Sequence, residues 1–133
     1  MEEGKESIFC SIRKKWYLLT PEEWVRQNFI LSLVQVLGYP SALIAVEKKI
    51  VFHEINKRFD IVVYDRETKP YLLIECKEMN VPLQEQTYFQ ALLYNSQLQA
   101  PYFIITNGTS CLGFKKMGDA VEEIFELPVY EGV

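Results

Sequence analysis

Two apolar runs separated by a short polar break constrain this chain more than any other feature. Phe59–Tyr64 and Tyr71–Cys76 are rich in Ile, Val, Leu and Tyr, residues that suit a pleated, buried surface. Between them, Asp65-Arg66-Glu67-Thr68-Lys69-Pro70 is polar and turn-like. Two strands joined by so short a break pair as an antiparallel hairpin. Ala42–Phe52 reads as a strand before this hairpin. Tyr102–Thr106 and Cys111–Lys115 read as strands after it, with Asn107-Gly108 as turn chemistry. Thr20-Pro21-Glu22-Glu23 supplies an N-cap threonine, a proline at the first helical position and a glutamate at the third. An apolar-rich helix follows from Trp24 to Leu37 and stops at Gly38-Tyr39-Pro40. Residues Gln84–Gln99 read as a second helix, ended by Ala100-Pro101. The order helix, three strands, helix, two strands predicts an α/β fold. Its expected form is a mixed central sheet of about five strands flanked by helices.

With 133 residues, about half of them apolar, the chain can bury one real core. A single domain over residues 1–133 is expected, with residues 1–15 loosely ordered. The formal net charge of -4 argues against a protein that coats DNA without regard to sequence. It leaves room for an enzyme that meets DNA through one local patch. The three cysteines, Cys10, Cys76 and Cys111, lack metal-binding spacing and read as reduced thiols. His53 is the only histidine, which argues against a classical zinc site or a Ser-His-Asp triad. No apolar run is long enough to span a membrane, and the first residues do not resemble a signal peptide. A cytoplasmic location is the expectation.

The chemistry concentrates where charge interrupts the hairpin. Glu75 and Lys77 are two residues apart on a strand, so they share a face, and Cys76 points the other way. A carboxylate in an apolar strand is costly unless paired or metal-bound. Asp60 interrupts the preceding strand in the same manner. In an antiparallel hairpin, the start of one strand lies beside the end of the next, so Asp60, Glu75 and Lys77 converge. Two carboxylates, with the main-chain carbonyl of Cys76, suit a hard cation such as Mg²⁺, with Mn²⁺ as a substitute. Lysine beside them suits the positioning of water or the offset of phosphoryl charge. An isolated E-x-K fits a structural ion pair better, and Asp60 on the preceding strand brings metal chemistry level with that reading. Gln90 and Tyr94 share a helix face, and read either as groups reaching a phosphate or the substrate backbone or, taken alone, as a solvated amide and a half-buried core tyrosine. Glu23 has a sufficient role closing the helix N-terminus and is also the candidate extra carboxylate, with Glu22 as its solvated neighbour.

Asp60, Glu75-Cys76-Lys77 and Gln90-Ala91-Leu92-Leu93-Tyr94 together resemble the PD-(D/E)xK nuclease superfamily, in the branch with an added Q-x-x-x-Y motif. More narrowly, the chain resembles the N-terminal nuclease domain of type I restriction enzyme R (motor) subunits. The flanking text that carries this narrower resemblance is Leu19–Gln27, Gly38-Tyr39-Pro40, Val46-Glu47, Val81-Pro82-Leu83 and Ile105–Gly108. The resemblance runs from about Tyr17 to Phe114. It implies a restriction-endonuclease-like fold, Mg²⁺ on Asp60 and Glu75, and a catalytic Lys77. It also implies substrate-side or supporting roles for Gln90 and Tyr94, and makes Glu23 the additional acid. Phe59 stands before Asp60 where the family pattern has proline.

The function expected is Mg²⁺-dependent hydrolysis of DNA phosphodiester bonds. The alternatives are a nuclease-fold assembly module active only with an ATP-dependent motor or other restriction-modification subunits, and a silent structural domain. No G-x-x-x-x-G-K-[ST] loop occurs, so motor activity is expected of a partner. A homodimer is a natural way to cut both strands. Among the basic pairs, Lys57-Arg58 lies nearest Asp60 and is the first candidate for phosphate contact. Lys48-Lys49 and Lys115-Lys116 read as solvated, and Glu47 stays unassigned.

Overall fold

The computed structural model describes residues 5–52, 55–80, 82–83, 100–118 and 120–131. Strands β1 (Ser7–Cys10) and β2 (Lys15–Leu18) form a small antiparallel hairpin. Helix α1 (Pro21–Gln35) follows. Six strands then build the main sheet: β3 (Ile44–Phe52), β4 (Ile55–Tyr64), β5 (Pro70–Cys76), β6 (Tyr102–Thr106), β7 (Cys111–Met117) and β8 (Ala120–Ile124). They lie side by side in chain order. Every pairing is antiparallel except β5 with β6, which is parallel. The sheet is therefore mixed, as expected, but has six strands where about five were predicted, and α1 is the one α-helix among the described residues. The second predicted helix, with Gln90 and Tyr94, lies outside the described residues, as does His53.

Local chemistry accounts for the first helix. The Thr20 side chain accepts a hydrogen bond from the Glu23 amide at 3.0 Å, closing an otherwise unpaired donor. Pro21 sits at the start, where its missing N–H costs nothing. Gly38, at φ +79°, ends the segment in the left-handed region that glycine enters without strain. None of the helices among the described residues is long and apolar enough to cross a membrane.

Two differences from the sequence reading have clear causes. Residues 7–18 hold a hairpin, although loose order was expected up to residue 15; its strands are four residues long and only half exposed, so they show little pattern. Strand β8 carries Glu122-Glu123 and only half-buried apolar residues, the composition of an edge strand.

The sheet buries both faces at its centre. Leu72, Leu73 and Ile74 of β5 are all fully buried, which is why this strand reads as an unbroken apolar run. Val25, Ile30 and Leu33 of α1 pack with Ile61, Val63, Leu72, Ile74, Cys76 and Ile104 on one face. Phe59, Val62, Leu73, Phe103, Ile105 and Phe114 form the core of the other, joined by Leu83 and Ala100.

Candidate active site

The charged residues gather where β5 ends and the β3–β4 pair continues without it. The β4–β5 ladder begins at Ile61 opposite Ile74. The β3–β4 ladder extends further, to Phe52 opposite Ile55. Asp60 is therefore mid-strand in β4, not near its start, yet it still stands beside the end of β5. Counting along both ladders puts Asp60 across from Glu75 on one side and from Glu47 on the other. Phe59 and Val62 pack on one face of the sheet, Ile61 and Val63 on the other. Strict alternation would place Phe59 with Ile61, so the pleat slips at Asp60. The slip turns the Asp60 carboxylate toward α1. Opposite it, Glu47 has φ +54°, a left-handed conformation that non-glycine residues rarely adopt.

Asp60 is held at both oxygens. Its Oδ2 accepts the Cys76 amide hydrogen at 2.9 Å, and its Oδ1 accepts from Arg26 Nη2 at 2.7 Å. Arg26 is buried and contacts three more carboxylates: Glu23 Oε2 at 3.0 Å, Glu22 Oε1 at 3.2 Å and Glu47 Oε1 at 3.7 Å. Burial alone would pull the Arg26 pKa down; Asp60 and Glu23 outweigh it and hold it above the ordinary value. Glu23 is bound on its other oxygen by Arg13 Nη2 at 2.6 Å. Arg13 in turn lies 3.5 Å over the Tyr17 ring and reaches Glu47 at 3.3 Å. Burial opposes ionisation of Glu23, but the two arginines win and hold its pKa below the usual range.

Glu75 lies on the other side of the slip. Lys57 Nζ forms an ion pair with Glu75 Oε1 at 3.3 Å, and among the described residues this buried oxygen has no further partner. Burial first, and the neighbouring Asp60 charge next, push the Glu75 pKa up. Lys77 is half-buried. Its amide donates to the Thr106 carbonyl at 2.7 Å, which continues the β5–β6 pairing one residue past the strand. Its charge acts on both Glu75 and Glu22. The following turn is fixed by Asn107, whose Oδ1 accepts from the Thr109 and Ser110 amides at 3.0 and 2.7 Å. Asn107-Gly108 is thus a turn, as its composition suggested.

The structure brings together Asp60, Glu75, Cys76 and Lys77 at one strand end. It places Glu23 elsewhere, locked between two arginines behind Asp60. Glu22 is exposed, as read from the sequence, and is also a helix carboxylate that stands by Asp60. Its pKa is raised by burial and by the Asp60 charge. Lys57 turns inward to Glu75 and stacks 5.3 Å from the Phe59 ring centre, whereas Arg58 is exposed opposite Lys49. Arg13, Arg26 and Glu47 had no role in the sequence reading. Arg26 carried a usable signal, since it stands three and four residues after Glu23 and Glu22 on one helix. Glu47 stood within the Val46-Glu47 text of the resemblance, but its left-handed backbone leaves no trace in composition.

The residues present suit a small hard cation. Glu75 offers a buried oxygen met among the described residues only by Lys57, Asp60 is oriented beside it, and both are oxygen donors. Among the described residues no group of three His, Cys, Asp or Glu side chains gathers at chelating distance. Two carboxylates with water filling the remaining positions is the coordination habit of Mg²⁺. The Cys76 thiol is buried, and burial pushes its pKa up, so its sulfur is a poor ligand and only its carbonyl remains as a donor.

A family model described as type I restriction enzyme R protein N terminus matches residues 21–128. A fragment of a candidate HsdR subunit of a type I restriction enzyme from Vibrio vulnificus YJ016 is similar in structure. Its TM-score is 0.59 at 20% identity, covering 84% of this chain and 24% of that one. The chain thus spans about a quarter of that relative. A protein of Anabaena variabilis ATCC 29413, assigned as a candidate nuclease of DUF820, gives a TM-score of 0.58 at 11% identity, covering 99% of this chain and 86% of that one. At these identities both show the fold alone. No curated protein matches the sequence.

Proposed function

The chain belongs to the family of type I restriction enzyme R protein N termini, and from that membership we propose that residues 1–133 act as one Mg²⁺-dependent domain hydrolysing DNA phosphodiester bonds. The observation that carries this reading is the buried Oε1 of Glu75, met among the described residues only by the Lys57 ion pair, beside an Asp60 held at both oxygens. Two neighbouring carboxylates in a buried setting are costly, and a cation between them offsets that cost. Asp60 and Glu75 would hold the ion, with the Cys76 carbonyl as a further donor and Mn²⁺ as a substitute. Such an ion would supply Lewis acidity for a phosphodiester oxygen and for water. Lys77, anchored through its amide, orients the attacking water and offsets charge on the phosphoryl group. Glu22, with a raised pKa and partial exposure, is the side chain suited to exchanging a proton with solvent. Lys48, Lys49 and Arg58 lie exposed on the β3–β4 extension beyond the site and offer charge to a DNA backbone. Gln90 and Tyr94 keep their substrate-side roles as part of this proposal.

The test is Mn²⁺ binding by calorimetry, together with nicking of supercoiled plasmid in Mg²⁺, for the wild type and Asp60→Asn. The wild type is expected to bind and to nick. The variant should lose about a hundredfold or more in nicking, as expected when the bound cation no longer supplies several kcal/mol. A wild type that neither binds the ion nor nicks DNA would sink the reading. A second reading is favoured by the span of about a quarter of the Vibrio relative. In it, the domain binds the ion but cuts only when an ATP-dependent motor subunit is supplied. Nicking by the lone chain decides between the two.

A further inference from the structure

We propose that Arg26 is a positioning residue for the reaction, holding Oδ1 of Asp60 from the helix side while the Cys76 amide holds Oδ2, so that Asp60 meets an arriving divalent cation already oriented. The inference rests on the cleavage reading above and names a residue that reading does not use. The geometry carries it. Among the described residues, Asp60 Oδ1 accepts from Arg26 at 2.7 Å and Oδ2 from the Cys76 amide at 2.9 Å, with the Glu22 carboxyl alongside. A carboxylate oxygen has two lone-pair sites, so each keeps one for a cation. Rotation of the carboxylate breaks one bond or the other. Arg26 is itself fixed from behind, since Nη1 bonds Glu23 at 3.0 Å and Glu23 is pinned by Arg13 at 2.6 Å. The guanidinium fork spans Glu23 and Asp60 with two different nitrogens, which a lysine ammonium reproduces poorly. The line of fixed charge thus runs from the β1–β2 hairpin, through α1, to the end of β5.

Two effects of Arg26 on a cation oppose each other. Its charge repels the ion, and its fork orients the ion's ligand. Arg26→Lys separates them, because it keeps the charge and loses the fork. The experiment measures Mn²⁺ affinity by calorimetry and the Mg²⁺ dependence of plasmid nicking for the wild type, Arg26→Lys and Arg26→Gln, each checked for a native melting transition. Arg26→Lys is expected to fold and to lose about tenfold or more in Mn²⁺ affinity and nicking, the usual consequence of removing a partner that orients a metal ligand. Arg26→Gln leaves Glu23 and Asp60 without their shared cation; if it fails to fold, Arg26→Lys carries the test alone. Arg26→Lys matching the wild type within about twofold overturns the proposal and leaves the cleavage reading standing. Arg26→Gln binding Mn²⁺ more tightly while Arg26→Lys is unchanged also overturns it, because Arg26 would then be only a competing charge. A wild type that neither binds Mn²⁺ nor nicks overturns both readings together.

Discussion

Glu75→Gln is expected to abolish nicking and, in metal-free buffer, to make the protein more stable. The two effects have one cause. Glu75 is half-buried, its buried Oε1 meets only Lys57 among the described residues, and burial raises its pKa above the ordinary 4.5. A group whose pKa is raised on folding favours the protonated form in the native state. Its contribution to stability is complete below the unfolded value and is lost as pH rises through the folded value. At neutral pH the ionised carboxylate therefore works against folding, and a neutral amide of the same shape removes that cost. Lys57, partly exposed, tolerates the loss of its partner better than a buried charge would. The gain should be about 1 kcal/mol, or roughly 3–5 °C in melting temperature for a chain of this size. It should be present at pH 7–8 and shrink toward pH 4. Nicking should fall at least about a thousandfold, matching the several kcal/mol a bound cation supplies. Thermal melts in EDTA across that pH range check the first half. A variant less stable than the wild type at pH 8 would mean that the Lys57 pair earns more than its burial costs.

The largest loss of stability is expected from Glu23→Ala. This carboxylate is buried, joins Arg13 to Arg26 and has a depressed pKa. Its removal leaves two buried or half-buried guanidinium groups facing each other with less compensation. Breaking such a pair from one side costs about 3–5 kcal/mol. The lower end applies, because Arg26 keeps Asp60 and Glu22, and Arg13 keeps Glu47. The Thr20 cap is unaffected, since it uses the Glu23 amide and not its side chain. Urea unfolding should show the midpoint falling with no change in slope. A loss under about 1 kcal/mol would show that water screens the network.

These two carboxylates show what could be read from the sequence and what could not. Asp60, Glu75 and Lys77 were legible because charge inside an apolar strand is expensive, and two such interruptions in one hairpin fix each other's position. The strand from Tyr102 to Thr106 was read to the residue. Glu23 and Glu22 were not separable. Adjacent helix positions point about a quarter-turn apart, and only the packing of α1 on the sheet decides which faces Arg13 and which faces Asp60. The pleat slip at Asp60 and the left-handed Glu47 were equally hidden. They follow from how two strands pair, and neither residue type announces it. The β1–β2 hairpin escaped notice because its strands are four residues long and half exposed, and its links to Glu23 and Glu47 through Arg13 are tertiary.

The single parallel pairing in the sheet sets an order of assembly. Strands β3, β4 and β5 pair with their sequence neighbours and close short loops. Strand β6 must return across the whole stretch from Lys77 to Pro101 before it can lie along β5. The entropy of closing that loop comes due before any of its contacts form. Leu73→Ala should therefore slow folding, while Phe103→Ala should mainly hasten unfolding, as stopped-flow kinetics would show. Until β6 docks, the Lys77 amide has no Thr106 carbonyl to hold it. A nascent or locally opened chain would carry both acids yet lack a seated lysine, so cutting competence would arrive last in folding and leave first in unfolding.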